Sequence, residues 1–101
     1  MIRACGNKEL EKLARAFKAL SNPNRLAIYL EVMQHYRTEV KSCGLSHLID
    51  RLDIGAPTLS HHTKELVDAG LISVQRDGRY ILCSLDESMR DRLAHFFRCD
   101  S

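Results

Sequence analysis

The chain has 101 residues, 45% of them hydrophobic and 28% charged, the make-up of one ordinary globular domain with a single core. Its net charge of +2 is too small to announce a nucleic-acid partner by bulk charge. No stretch approaches the roughly 18 apolar residues of a membrane span, and the N-terminus lacks a secretory pattern, so a cytoplasmic location is expected. Four cysteines, Cys5, Cys43, Cys83 and Cys99, stand far apart with no Cys-x-x-Cys pair, and in that compartment they are expected as reduced thiols.

Residues 8–20 repeat apolar side chains at Leu10, Leu13, Ala14, Phe17 and Leu20, a helical stripe. Ser21-Asn22-Pro23 breaks the chain and restarts it, with Asn22 as N-cap and Pro23 in the first turn. A second helix is predicted to about residue 34, with Leu26, Tyr29, Leu30 and Met33 on its core side. Residues 35–43 are polar and patternless. They read as a loop or a frayed helix end, with a flexible effector-binding segment as the functional alternative.

Leu45, Leu48, Ile49 and Leu52 mark a short third helix, and Asp53-Ile54-Gly55-Ala56 is a tight connection to a fourth at 57–69. Pro57 suits a first helical turn, and Gly70 supplies the left-handed residue that ends a helix. Leu59, Thr63, Leu66 and Val67 form its inner face, and Thr58, Ser60, His61, Lys64 and Asp68 its outer one. Hydroxyls, imidazole and an ammonium are the groups that read base edges and phosphates; the plainer reading is a solvated face. Between Gly44 and Leu82 four basic residues (Arg51, Lys64, Arg76, Arg79) meet five acids (Asp50, Asp53, Glu65, Asp68, Asp77), so positive surface must come from local placement.

Two short helices joined by such a turn form a helix-turn-helix. Residues 71–76 then read as a strand, Asp77-Gly78 as a hairpin turn and 79–85 as the return strand, with Arg76 and Arg79 flanking the tip. That hairpin is a wing whose arginines suit backbone or minor-groove contacts, or it is a surface hairpin with solubilising charges. Asp86 can cap a last helix bearing Met89, Leu93, Phe96 and Phe97. Together with Leu10, Leu13 and Phe17 these exceed what one small core needs, which predicts a two-fold apolar interface. The expected fold is mainly α with a small β-hairpin, a winged helix-turn-helix in the order α-α-α-α-β-β-α. It is one domain over 1–101, with dimerisation helices at 1–20 and 86–99, the helix-turn-helix at 45–69 and the wing at 71–85. No nucleophile–base–orienter set, paired carboxylates or glycine-rich phosphate loop is present, so no enzyme is expected and no catalytic residue is named.

Four stretches carry a resemblance: Phe-Lys-Ala-Leu-Ser-Asn-Pro-Asn-Arg-Leu-Ala-Ile (17–28), Ala-Pro-Thr-Leu-Ser-His-His-Thr-Lys-Glu-Leu (56–66), Ala-Gly-Leu-Ile (69–72) and Arg-Asp-Gly-Arg-Tyr (76–80). Over about residues 9–99 the sequence resembles the ArsR (ArsR/SmtB) family of bacterial winged-helix repressors. The resemblance implies a homodimer built by the first and last helices, binding double-stranded DNA at an inverted-repeat operator and released by a metal, a metalloid or a reactive small molecule. It places Thr58, Ser60, His61, His62 and Lys64 where the family reads or braces DNA, with Arg76 and Arg79 on the wing. His62 lies nearer the core edge, so a structural histidine stands beside a contact as its reading.

The sensor is where this chain departs from the pattern. The family's arsenic site, two cysteines one residue apart, should fall near residues 44–46, where only Cys43 is close. Its zinc site on the last helix meets Asp86-x-Ser88 and then Cys99 here, which removes most of the ligands that zinc needs. Redox-sensing members pair a second-helix cysteine with one near the C-terminus; Cys99 fits the latter, while Tyr29 and Leu30 occupy the former region. Cys83 sits in a strand and reads as a small buried hydrophobe or as a thiol site. Cys5 and Cys99 lie near termini expected to meet at the dimer interface. Thiol chemistry is therefore the expected input, with Cys43, Cys83 and Cys99 as sensor candidates. Arg92 and Arg98 near Cys99, and a helix start at Cys43, favour the thiolate. As(III) or another thiophilic metal ion is the implied inducer, or none. The rival reading is a winged-helix protein-interaction module, or a repressor without a metal or thiol sensor.

Overall fold

Asn22 starts the helical half of the chain as expected. Its side chain accepts from the Asn24 and Arg25 amides at 2.9 and 3.2 Å, and Pro23 follows at the first helical position. The computed structural model describes residues 7–98. Helices α1 (Asn7–Leu20) and α2 (Pro23–Tyr36) lead into a short strand β1 (Ser42–Gly44). Helices α3 (Leu45–Leu52) and α4 (Ala56–Asp68) form the helix-turn-helix, β2 (Ile72–Asp77) and β3 (Tyr80–Leu85) the wing, and α5 (Glu87–Arg98) closes the chain. The fold is mainly helical, with a winged helix-turn-helix order. Cys99 and the final two residues, like Cys5, lie outside the described part, as do the ends of the 1–20 and 86–99 segments.

Helix α4 ends through a pair of backbone bonds, Gly70 N–H to Val67 at 2.9 Å and Leu71 N–H to Leu66 at 3.0 Å, with Gly70 at φ +78°. This satisfies carbonyls that the helix terminus would otherwise orphan, and it points Leu71 into the core. Asp86 caps α5 through its carboxylate, which accepts from the Met89 amide at 2.9 Å. A Glu9–Arg92 ion pair at 3.7 Å links α1 to α5. The core gathers Ile28 and Val32 of α2, Leu48 of α3, Leu59 and Leu66 of α4, Leu71, and the two strand cysteines Cys43 and Cys83, all essentially inaccessible.

Three expectations change. The buried side of α2 is Ile28, Tyr29 and Val32, while Leu26 and Leu30 stand 51% and 52% exposed. The helix is apolar on two sides, so its periodicity alone does not choose the inner one. Residues 35–43 are not one loop: α2 continues to Tyr36, and β1 pairs antiparallel with β3 to give a three-stranded sheet in the order β1-β3-β2. Three residues are too few to show a period of two. The wing's turn sits one residue later than expected. Asp77 pairs with Tyr80, leaving Gly78 and Arg79 as the loop, with Gly78 at φ +63° in the place a type II′ turn gives to glycine.

Candidate nucleic-acid interface

Helix α4 buries Leu59, Thr63 and Leu66 and leaves Thr58, Ser60, His61 and Lys64 on the solvent side. Thr63 satisfies its hydroxyl inside the helix, donating to the Leu59 carbonyl at 2.8 Å. Lys64 pairs with Asp68 at 3.1 Å, but both side chains are well exposed, and such a surface pair contributes little and leaves the ammonium free to swing to another anion. The helix begins at Gly55 and Pro57, with no side chain capping its first amides. Behind it, β2 and β3 project outward: every residue from Ser73 to Tyr80 is exposed, Arg76 and Arg79 among them. Two surfaces of different chemistry thus sit side by side in the chain, a helix face of short polar groups and a hairpin tip carrying two guanidinium groups.

His62 stands apart from the other six. It is 8% exposed, and its Nδ1 lies 3.3 Å from the Arg25 guanidinium, which also donates to the Ala19 carbonyl. A guanidinium has no acceptor, so Nδ1 accepts and the ring proton sits on Nε2. Burial first, then the neighbouring Arg25 and His61, lowers its pKa and keeps the ring neutral. Arg25, a residue that periodicity gave no reason to single out, thereby ties the start of α2 to the middle of α4.

Of the two described cysteines, Cys83 is buried in its strand, as one of its readings had it, and Cys43 differs from expectation. Cys43 does not begin a helix; it faces Cys83 across the β1–β3 ladder, and both are buried free thiols. Burial, with Cys83 and Glu31 adding to it, pushes Cys43 up to about 12, and burial pushes Cys83 up to about 11. Neither is an exposed, activated thiolate, because the strand places them in the core rather than at a positive helix end.

A second polar cluster lies beside Cys43. Glu31 and His35, one turn apart on α2, meet His47 of α3: His47 Nε2 is 3.1 Å and His35 Nε2 3.4 Å from Glu31 Oε2, and the two Nε2 atoms are 3.2 Å apart. Arg51 approaches the other carboxylate oxygen at 3.6 Å. The His47 hydrogen bond, ahead of the nearby positive groups, holds the Glu31 carboxyl below its usual range. None of the three residues was singled out from the sequence, although Glu31 and His35 at i and i+4 share a helix face.

The expected dimer residues separate into two groups. Leu13, Met89 and Leu93 are buried within the single chain, so they belong to its own core. Leu10 and Phe17 are half-buried, and Phe96 and Phe97 are exposed. Phe17, Phe96 and Phe97 stack on one another at centroid distances of 5.5, 5.6 and 5.5 Å.

No protein-family model matches the sequence. The chain is 31% identical over 84 residues to an arsenical resistance operon repressor of Staphylococcus xylosus, covering 80% of this chain and 72% of the relative. This chain belongs to the ArsR/SmtB family of transcriptional repressors. An arsenical resistance operon repressor of Bacillus subtilis is 33% identical over 91 residues, covering 89% of this chain and 82% of that protein. The solved homodimeric winged helix-turn-helix DNA-binding domain of Mycobacterium bovis, described as a possible ArsR-family regulator, shares the fold with a TM-score of 0.70 at 22% identity. That likeness spans 88% of this chain and 77% of that one. The ArsR/SmtB relatives are DNA-binding repressors, not enzymes. No described helix is long and apolar enough to cross a membrane.

Proposed function

We propose that this ArsR/SmtB protein is a homodimer that binds an inverted-repeat operator through α4 and the wing and is released by a metal, metalloid or thiol-reactive inducer. The observation that carries the DNA half is the outward face of α4, with Thr58, Ser60, His61 and Lys64 on the second helix of a helix-turn-helix, followed directly by a hairpin bearing Arg76 and Arg79. A helix of that diameter enters a major groove, where hydroxyl and imidazole groups meet base edges, while guanidinium groups on a projecting hairpin meet phosphates. His62 is supported as a brace behind this face, since its ring is spent on Arg25. The Phe17, Phe96 and Phe97 cluster, left open at the junction of α1 and α5, supports a two-fold contact there. The Mycobacterium bovis domain of the same fold is homodimeric. For the inducer, the support is that two relatives are named as arsenical resistance operon repressors.

The test is a mobility shift with the protein and its own promoter region. Ser60→Ala or His61→Ala changes sequence preference at one position, at a cost of about 1–3 kcal/mol for the preferred base. Arg79→Ala weakens all duplexes alike and flattens the salt dependence by about one unit of slope. Equal affinity of Arg79→Ala and the parent protein at every salt concentration removes the wing from the interface, and failure to retard any specific duplex removes the repressor reading.

A further inference from the structure

We propose that Glu31, His35, Cys43 and His47 form a binding site for a borderline divalent cation of the Zn(II) class, seated where α2, β1 and α3 meet. A ring nitrogen of each histidine and Cys43 Sγ all lie within 4.8 Å of one another. His35 Nε2, His47 Nε2 and Glu31 Oε2 form a triangle with edges of 3.1, 3.2 and 3.4 Å. Two ligands held about 2.0–2.1 Å from a tetrahedral zinc stand about 3.3 Å apart, so this triangle is already one face of such a coordination sphere. Cys43 Sγ is the remaining vertex on the core side. A nitrogen–sulfur edge in a closed site is about 3.6 Å, so the edges of up to 4.8 Å between Sγ and the histidine nitrogens shorten by about 1 Å as the site closes, and Sγ also moves toward Glu31 Oε2.

The donor set selects the ion. Two imidazoles, one thiol and one carboxylate suit zinc or cobalt; calcium and magnesium want oxygen only, and As(III) wants several thiolates where this cluster has one. The histidine side chains are 29% and 44% exposed, which opens the site to solvent, while Cys43 closes its inner side. Arg51 against Glu31 Oε1 orients the carboxylate so that Oε2 faces the histidines. Binding replaces the Cys43 S–H bond with an S–metal bond and releases the proton to solvent, with no change of oxidation state. The four residues occupy neither the paired-cysteine position nor the last-helix position that the family resemblance pointed to.

A bound ion would tie α3, the first helix of the helix-turn-helix, to α2 and to the strand paired with the wing. That consequence rests on the repressor reading; the site itself does not.

The experiment titrates the reduced, metal-free full chain with Co(II), followed by absorption. One equivalent per chain is expected to give d–d bands of tetrahedral intensity and a thiolate-to-cobalt charge-transfer band, both displaced by Zn(II). His47→Ala and Glu31→Gln, at the cluster's outer side, lower affinity by about 10- to 100-fold or more. Cys43→Ser loses the charge-transfer band, and Cys5→Ser with Cys99→Ser keeps it. The site is overturned by the absence of a tetrahedral spectrum, by a His47→Ala titration that matches the parent, or by a charge-transfer band that survives Cys43→Ser. DNA affinity is then compared with and without Zn(II). A shift of about 10-fold that disappears in His47→Ala makes the site the inducer site. A metal-bound protein that fails to bind DNA in either state overturns the repressor reading and leaves the site standing.

Discussion

His61 and His62 are neighbours in sequence and opposites in environment, one in solvent and one folded against Arg25. Removing the His62 ring leaves a half-buried guanidinium short of an acceptor, so His62→Ala is expected to cost about 1–3 kcal/mol in urea unfolding. His61→Ala should stay within about 0.5 kcal/mol and act only on DNA preference. The pH dependence has a definite sign. The folded pKa of His62 lies below the ordinary 6.5, so its contribution is full above that value and is lost as pH falls and the unfolded chain takes up a proton that the native ring resists. The buried thiols have the opposite sign. Their folded pKa values are raised from 9.0 to about 12 and about 11, so their contribution is present below pH 9 and is lost as pH climbs from there. A thiol reagent at neutral pH is expected to leave Cys43 and Cys83 unlabelled in the native protein and to label both in denaturant. Labelling of Cys43 at the rate of a free thiol would contradict its place in the core.

Helix α4 depends on its last turn as much as on its face. Gly70 holds φ +78° while bonding Val67, a conformation in which a Cβ is strained whatever room surrounds it. Gly70→Ala is expected to lower stability by about 1–2 kcal/mol, visible as a lower Tm, since the nearest atom, Met89 Cε at 3.5 Å, makes only ordinary contact. Most of these elements were legible beforehand, because caps and breakers are local chemistry: Asn22-Pro23, Gly70, Asp86 and the Asp77-Gly78 signal each fell within a residue of its role. Strand β1 was not, since three residues gain their strand character only from the β3 edge they pair with. Nor was the inner side of α2, which two apolar stripes left undetermined until Leu48 and Leu66 were packed beside Ile28 and Val32.

For the whole molecule, the apolar surplus at the two chain ends is smaller than the sequence suggests, because Leu13, Met89 and Leu93 complete the chain's own core. What remains for a partner is the aromatic cluster. Phe97, 73% exposed, can accept a charge without disturbing the fold. Phe97→Asp is therefore expected to convert the proposed dimer to a folded monomer in sedimentation at micromolar concentration, with unchanged helix content. Leu93→Asp should instead abolish folding, because it places an unpaired carboxylate in the core. A parent protein that sediments as a monomer at the same concentration would remove the two-fold interface.

The sequence by itself determined the order of elements, the caps and the polar face of α4, because each depends on residues within about one helical turn or one hairpin of one another. It determined the family as well, through the runs around Pro23, the α4 face and the wing. Only the tertiary structure decided that the His62 ring is spent on Arg25, and that Cys43 lies in a strand against Cys83. It also brought Glu31, His35, Cys43 and His47 together from a helix, a strand and a second helix. The physical reason is sequence separation. Metal-ligand spacing can be read along a chain when the donors share one element, whereas donors on three elements converge only when the core that holds those elements has formed.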